Sequence, residues 1–135
     1  VTARSDRQFL KIPTDDTTSV MLRFASGATG YLGTLTATAP TWRIQVFGTG
    51  GWAEMHSYDR LFVCKVAADG TPGKEEMTEY GPFDMERAEL EAFADACTGK
   101  AAYPLPPAEA VHGTAVLEAV IRGAASGQPV QLKDI

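Results

Sequence analysis

The hydrophobic repeat changes period partway along the chain, and that change limits the possible folds more than any other feature. Through residues 17–66, short segments rich in β-formers are separated by turn residues, the pattern of a meander of strands. Residues 19–24 alternate, with Val20, Leu22 and Phe24 on one side and Ser19, Met21 and Arg23 on the other. Ser26 and Gly27 then supply a tight hairpin turn. Residues 29–38 return; their Thr, Tyr and Leu suit a pleated surface, while Gly30 and Gly33 mark a bulge or a close contact. Further strands are expected over 42–47, 52–58 and 61–66. From residue 85 the repeat is helical. Leu90, Phe93, Ala94 and Cys97 share one face of a helix over 85–98, with Asp84 as N-cap and Gly99 as its stop. A second helix is expected from about Pro107 to Gly127, its core stripe being Ala110, Gly113, Leu117, Val120, Ile121 and Ala124. Gln128 and Pro129 end it and leave an extended tail over 130–132. Strands first and helices last predict an α+β domain, a mostly antiparallel open-faced sheet covered on one face by two helices.

Residues 61–66 place Leu61 and Val63 on one side and Phe62, Cys64 and Val66 on the other, so both faces of the sheet are apolar there. Two helices cover one face. The other is expected to meet a further domain or a second subunit, since a broad exposed apolar sheet face is a liability.

With 135 residues and 44% hydrophobic residues the chain fits one core, so residues 1–135 read as a single domain. It begins with Val1 instead of Met, directly in strand-like sequence, which suggests a fragment. No apolar run approaches the ~20 residues of a membrane helix, and the opening VTARSDRQ has no signal-peptide core. A cytoplasmic protein without a membrane partner is expected. A net charge of -5 argues against a nucleic-acid partner, which would need clustered Lys and Arg. Cys64 and Cys97 have no CxxC spacing and too few companions for a metal cage; both read as buried reduced thiols. The Gly/Pro/Asp loop over 68–73 is expected to be mobile.

One motif points the wrong way. Residues 44–53 fit a strand followed by G-x-G-x-x-A, the variant dinucleotide fingerprint, with Asp69 at about the distance of its ribose-binding acid. That chemistry requires Gly48 and Gly50 to open a helix whose N-terminal amides hold the pyrophosphate. Only a short stretch, EMHSYDR, separates the glycines from the next strand, too little for the crossover helix of a parallel βαβ unit. Trp52, Glu54, His56 and Tyr58 also alternate as a strand does. A hairpin turn is the expected structure, and with it no cofactor-binding residues in this chain.

The same residues carry a family resemblance. DTTSVMLRFASGATG resembles a strand and hairpin of the Gfo/Idh/MocA oxidoreductases, and IQVFGTGGWAEM their second strand pair around a G-x-x-G turn at Gly48 and Gly51. ELEAFADACTGK is similar to their covering helix, and AVHGTAVLEAVIRGAASGQPVQL to their closing helix and tail. The four segments follow in order over residues 16–132. The resemblance implies the glyceraldehyde-3-phosphate dehydrogenase-like C-terminal domain of an NAD- or NADP-dependent enzyme. In that family an N-terminal Rossmann domain holds the nucleotide, and the open sheet commonly forms the subunit interface. The implied reaction is hydride transfer at a hydroxyl or carbonyl carbon of a sugar- or cyclitol-like small molecule. The family's catalytic Lys lies in an E-K-P motif and its acid/base pair in D-x-x-x-H. Neither is present, so no catalytic residue is assigned and the chain alone is not expected to be an enzyme.

The resemblance further implies that the connection over residues 38–43 borders the substrate pocket of the intact protein. Its Thr41, Trp42 and Arg43 suit a hydroxylated substrate: an indole can stack on a sugar ring, and a guanidinium offers five donors. Trp42 as core and Arg43 as a surface charge is the competing reading. His56, with Trp52, Glu54 and Tyr58, is a pocket wall or an oligomer contact, and His112 reads as solvated or interfacial. Glu75, Glu76 and Glu79 read as a solvated strand or loop, and Asp15 and Asp16 as turn residues. A different class remains open, a stand-alone α+β module that binds a small ligand or dimerises without redox activity.

Overall fold

A computed structural model describes residues 1–135 and shows an α+β fold: two antiparallel sheets and two helices. In chain order these are β1 (Thr2–Asp6), β2 (Thr17–Arg23), β3 (Thr29–Leu35), β4 (Arg43–Gly48), β5 (Gly51–His56), β6 (Arg60–Lys65), β7 (Glu76–Glu79), α1 (Met85–Cys97) and α2 (Pro107–Ser126). The chain forms two compact units, one of Val1–Thr38 with Ala102–Ile135 and one of Ala39–Ala101.

In the first unit β1, β2 and β3 pair in that order, all antiparallel. The alternation of β2 sorts its side chains as the sequence predicts. Val20 lies between Ala3 and Leu32 in the register and is 2% exposed, whereas Met21, between Thr2 and Tyr31, is 53% exposed. Helix α2 packs on β1 at its small residues: Ala119 is fully buried, and a Cβ on Gly123 would stand 3.5 Å from the Ala3 nitrogen. This shifts the expected stripe. Leu117 and Ile121 are exposed, and the strand-facing side is Ala119 and Gly123, flanked by half-buried Val116 and Val120. Close approach explains the difference, because only small side chains admit a strand backbone at that distance. Gly127 ends the helix in a left-handed conformation, φ 67°. The tail then binds the chain start through reciprocal 2.8 Å hydrogen bonds between Val1 and Val130 before closing in a 3-10 turn, Leu132–Asp134.

The loop from β1 to β2 is organised by Asp16. Its carboxylate is enclosed by the loop itself and accepts from the N–H groups of Gln8 (2.9 Å), Phe9 (2.7 Å) and Leu10 (2.7 Å), and from the Thr17 hydroxyl. Turn formation is what an Asp at a strand start suggests; reaching back across the loop to successive amides is more than a local turn does.

The second unit is a four-stranded meander, β4-β5-β6-β7. Gly48 pairs with Gly51 across the turn, and β5 runs back antiparallel along β4. Gly51 has φ 130°, and a Cβ there would collide with the Cys64 carbonyl oxygen and stand 2.9 Å from the Lys65 Cα. The loop after β6 is held by Asp69, which accepts from the Thr71 amide and hydroxyl, and by a bridge between Val66 and Pro72. Asp84 caps α1 by accepting from the Arg87 N–H at 2.9 Å, and Gly99 follows its end at φ 73°. Both cysteines are free thiols. Cys64 is buried as expected, but Cys97 is exposed, since Leu90, Phe93 and Cys97 share a face that stays largely open.

Candidate substrate-facing site

One face of the second sheet gathers Arg43, Glu54, His56 and Glu79, four of the polar residues that the sequence singles out. The register places Arg43 opposite His56, which lies opposite Arg60, and Gln45 opposite Glu54, which lies opposite Phe62. The Glu54 side chain is only 17% exposed, and its carboxylate accepts from Gln45 Nε2 at 2.8 Å while Arg43 Nη1 stands 3.8 Å away. His56 meets the ring of Phe62 edge-on at 6.2 Å. Trp52, Glu54 and His56 therefore share a face, as their alternation predicts.

Tyr58 does not continue that strand. β5 ends at His56, and Ser57 takes φ 56°, the one non-glycine residue with positive φ. A serine in that region carries a local conformational cost and is held there by its surroundings. Here the holding contact is the Ser57 N–H donating to the Trp42 carbonyl oxygen at 3.0 Å. The turn brings Tyr58 onto Trp42, the two rings stacked at 4.9 Å and 24°. Trp42 is 40% exposed, so it is neither core nor free: one face of the indole is spent on Tyr58 and part of the residue stays open. Thr41 and Arg43 flank it, both exposed. The sequence identifies Trp42 and Arg43; it does not reveal that Tyr58 completes the aromatic surface, because nothing in a serine signals a left-handed turn.

Most other candidates fall elsewhere. His112 is exposed on α2, in the first unit. Glu76, exposed on β7, pairs with Val63 on the other face of the sheet, whereas Glu79, also exposed, extends the row of Arg43, His56 and Arg60. Gly48 and Gly50 belong to a hairpin, and the residues after them form β5, not a helix whose amides would receive a phosphate. No helix is long and apolar enough to cross a membrane.

Residues 1–132 match the model of the Gfo/Idh/MocA oxidoreductase family, C-terminal alpha/beta domain. No match was found among curated proteins. Among solved structures, an oxidoreductase from Agrobacterium radiobacter in complex with NAD+, L-tartaric acid and magnesium superposes with a TM-score of 0.77 at 22% identity, covering 98% of this chain and 43% of that one. The WlbA dehydrogenase from Bordetella pertussis, in complex with NADH and UDP-GlcNAcA, gives 0.67 at 20% identity, covering 96% and 40%. A protein of Desulfitobacterium hafniense assigned as an NADPH-dependent oxidoreductase gives 0.81 at 18% identity, covering 98% and 42%. The chain thus spans about two-fifths of the length of the structures it matches.

Proposed function

Since this chain belongs to the Gfo/Idh/MocA oxidoreductase family, matching its C-terminal alpha/beta domain, we propose that it is the substrate-side and oligomerisation domain of an NAD- or NADP-dependent enzyme. Residues 1–135 act as one such domain, and an N-terminal Rossmann domain elsewhere in the protein holds the nucleotide. NAD+ and NADH in two of the structural neighbours support that cofactor class. The substrate is a small hydroxylated molecule, sugar- or cyclitol-like, oxidised or reduced at a hydroxyl or carbonyl carbon. A cytoplasmic setting suits the two free thiols.

The observation that carries the substrate assignment is the Trp42–Tyr58 stack beside Arg43, fixed by the strained Ser57. An aromatic surface with one open side takes the apolar face of a sugar ring, and an adjacent guanidinium orients its oxygens. Thr41 offers a further hydroxyl. In the full-length enzyme Trp42→Ala and Arg43→Ala should each lower kcat/KM by ~10-fold or more, about 1.4 kcal/mol of transition-state stabilisation, with nucleotide affinity unchanged. Unaltered turnover by folded variants would reduce residues 38–43 to a connector.

The oligomer forms through the open sheet face. In the first unit the side of the sheet opposite α2 carries Met21, Tyr31 and Leu35, each more than half exposed. A second copy packed there about a two-fold axis would remove that apolar surface from water.

A further inference from the structure

The arginine that flanks Trp42 already carries a countercharge. Glu54 stands on the same face of the sheet, diagonal to Arg43 in the register, with its side chain largely buried. Its two oxygens are divided: Oε2 accepts from Gln45 Nε2 at 2.8 Å, and Oε1 lies 3.8 Å from Arg43 Nη1. The Arg43 side chain is more than half exposed, so the guanidinium keeps N–H donors for a ligand while a fixed negative charge stands beside it.

The second guanidinium of the row is matched as well. Arg60 Nε lies 3.6 Å from Asp59 Oδ1, and Glu79 stands opposite Arg60 on the next strand. His56 separates the two arginines, its ring edge-on to Phe62. Two arginines thus face three carboxylates, Glu54, Asp59 and Glu79, at the end of the sheet that holds the Trp42–Tyr58 stack. A carboxylate or phosphate arriving at Arg43 would come up against Glu54, and like charges brought together out of water repel strongly. A hydroxyl meets no such penalty and accepts from the same guanidinium. We propose that Glu54, by holding the countercharge of Arg43, restricts the site to uncharged sugars or cyclitols and rejects their acidic counterparts, a selection by repulsion instead of by added attraction. Glu54 acts through Arg43, and the proposal rests on the reading above that Trp42 and Arg43 meet the substrate.

Steady-state kinetics of the full-length enzyme tests it on matched pairs, D-glucose with D-glucuronate and D-galactose with D-galacturonate, with myo-inositol as a neutral cyclitol. The wild type should favour the neutral member of each pair in kcat/KM. Glu54→Gln, which keeps the shape and an acceptor for Gln45, should raise the uronate-to-neutral ratio ~10-fold or more, an effect that shrinks with added salt. Glu54→Asp keeps the charge and should stay near the wild-type ratio, whereas a purely structural role would lower both substrates together and leave the ratio fixed in every variant. A wild type that turns over the uronate as readily as the neutral sugar overturns the proposal whether or not a variant folds, and so does a folded Glu54→Gln with an unchanged ratio. A wild type inert toward all five compounds, or an Arg43→Ala variant with undiminished turnover, overturns the underlying reading of the site and this inference with it.

Discussion

Asp16 holds its position through charge as well as geometry. The N–H of Leu10 foremost, then those of Gln8 and Phe9, stabilise the ionised carboxylate and hold its pKa far below the ordinary range, with burial opposing them. A carboxylate with a depressed folded-state pKa contributes stability that is fully present above its unfolded pKa, about 3.9, and is lost as the pH falls below it. Thermal unfolding of the wild type should therefore weaken steeply as the pH drops from about 4. Asp16→Asn, which keeps the shape and loses the charge, should melt lower at neutral pH and show a shallower acid limb. A coincident pair of pH profiles would mean that the loop amides find other partners. In the sequence Asp16 was legible as a turn residue but not as a clamp, because its ligands lie several positions back and no local rule reaches them. Trp42 and Arg43 were legible because an aromatic and a guanidinium stood together in a connection. Tyr58 was not, since the turn that delivers it depends on a serine in a conformation serines seldom adopt.

Glycines test the elements. At Gly51 both the positive φ and the Cys64 carbonyl oxygen exclude a side chain, so Gly51→Ala should destabilise the second unit by on the order of 3 kcal/mol, read as a lower midpoint in denaturant. Gly50 has open space around it, and Gly50→Ala should stay within ~0.5 kcal/mol of wild type. Equal effects at the two positions would contradict the hairpin geometry. On α2, Gly123→Ala meets only ordinary contact distances to Ala3 and gains helix propensity, up to ~1 kcal/mol. Gly123→Leu should instead part the helix from β1 and lower the melting temperature. The strand and helix order was readable because two-residue and helical periods differ plainly, and Asp84 and Gly99 fall where a cap and a stop belong. The buried side of α2 was not, because apolar residues surround much of this helix and periodicity favours the larger Leu117 and Ile121 over Ala119 and Gly123. β7 was also obscured; its EMTE carries too little apolar pattern to announce a strand.

At the scale of the whole molecule, we propose that the chain is a domain whose chemistry is divided with another. Its dinucleotide-like glycines bend a hairpin, its first sheet exposes Met21, Tyr31 and Leu35 on one face, and its aromatic and basic residues gather at one sheet end. The family was legible from four segments in their order, while substrate detail was not, because in the proposed function the pocket is shared with residues outside this chain. Calorimetric titration of the chain with NAD+ and NADP+ tests this division of labour most directly. No saturable heat should appear at micromolar to millimolar nucleotide, because no helix N-terminus follows Gly48 and Gly50 to receive a pyrophosphate. Saturable micromolar binding that Gly48→Val abolishes would contradict it and would make the hairpin a nucleotide site.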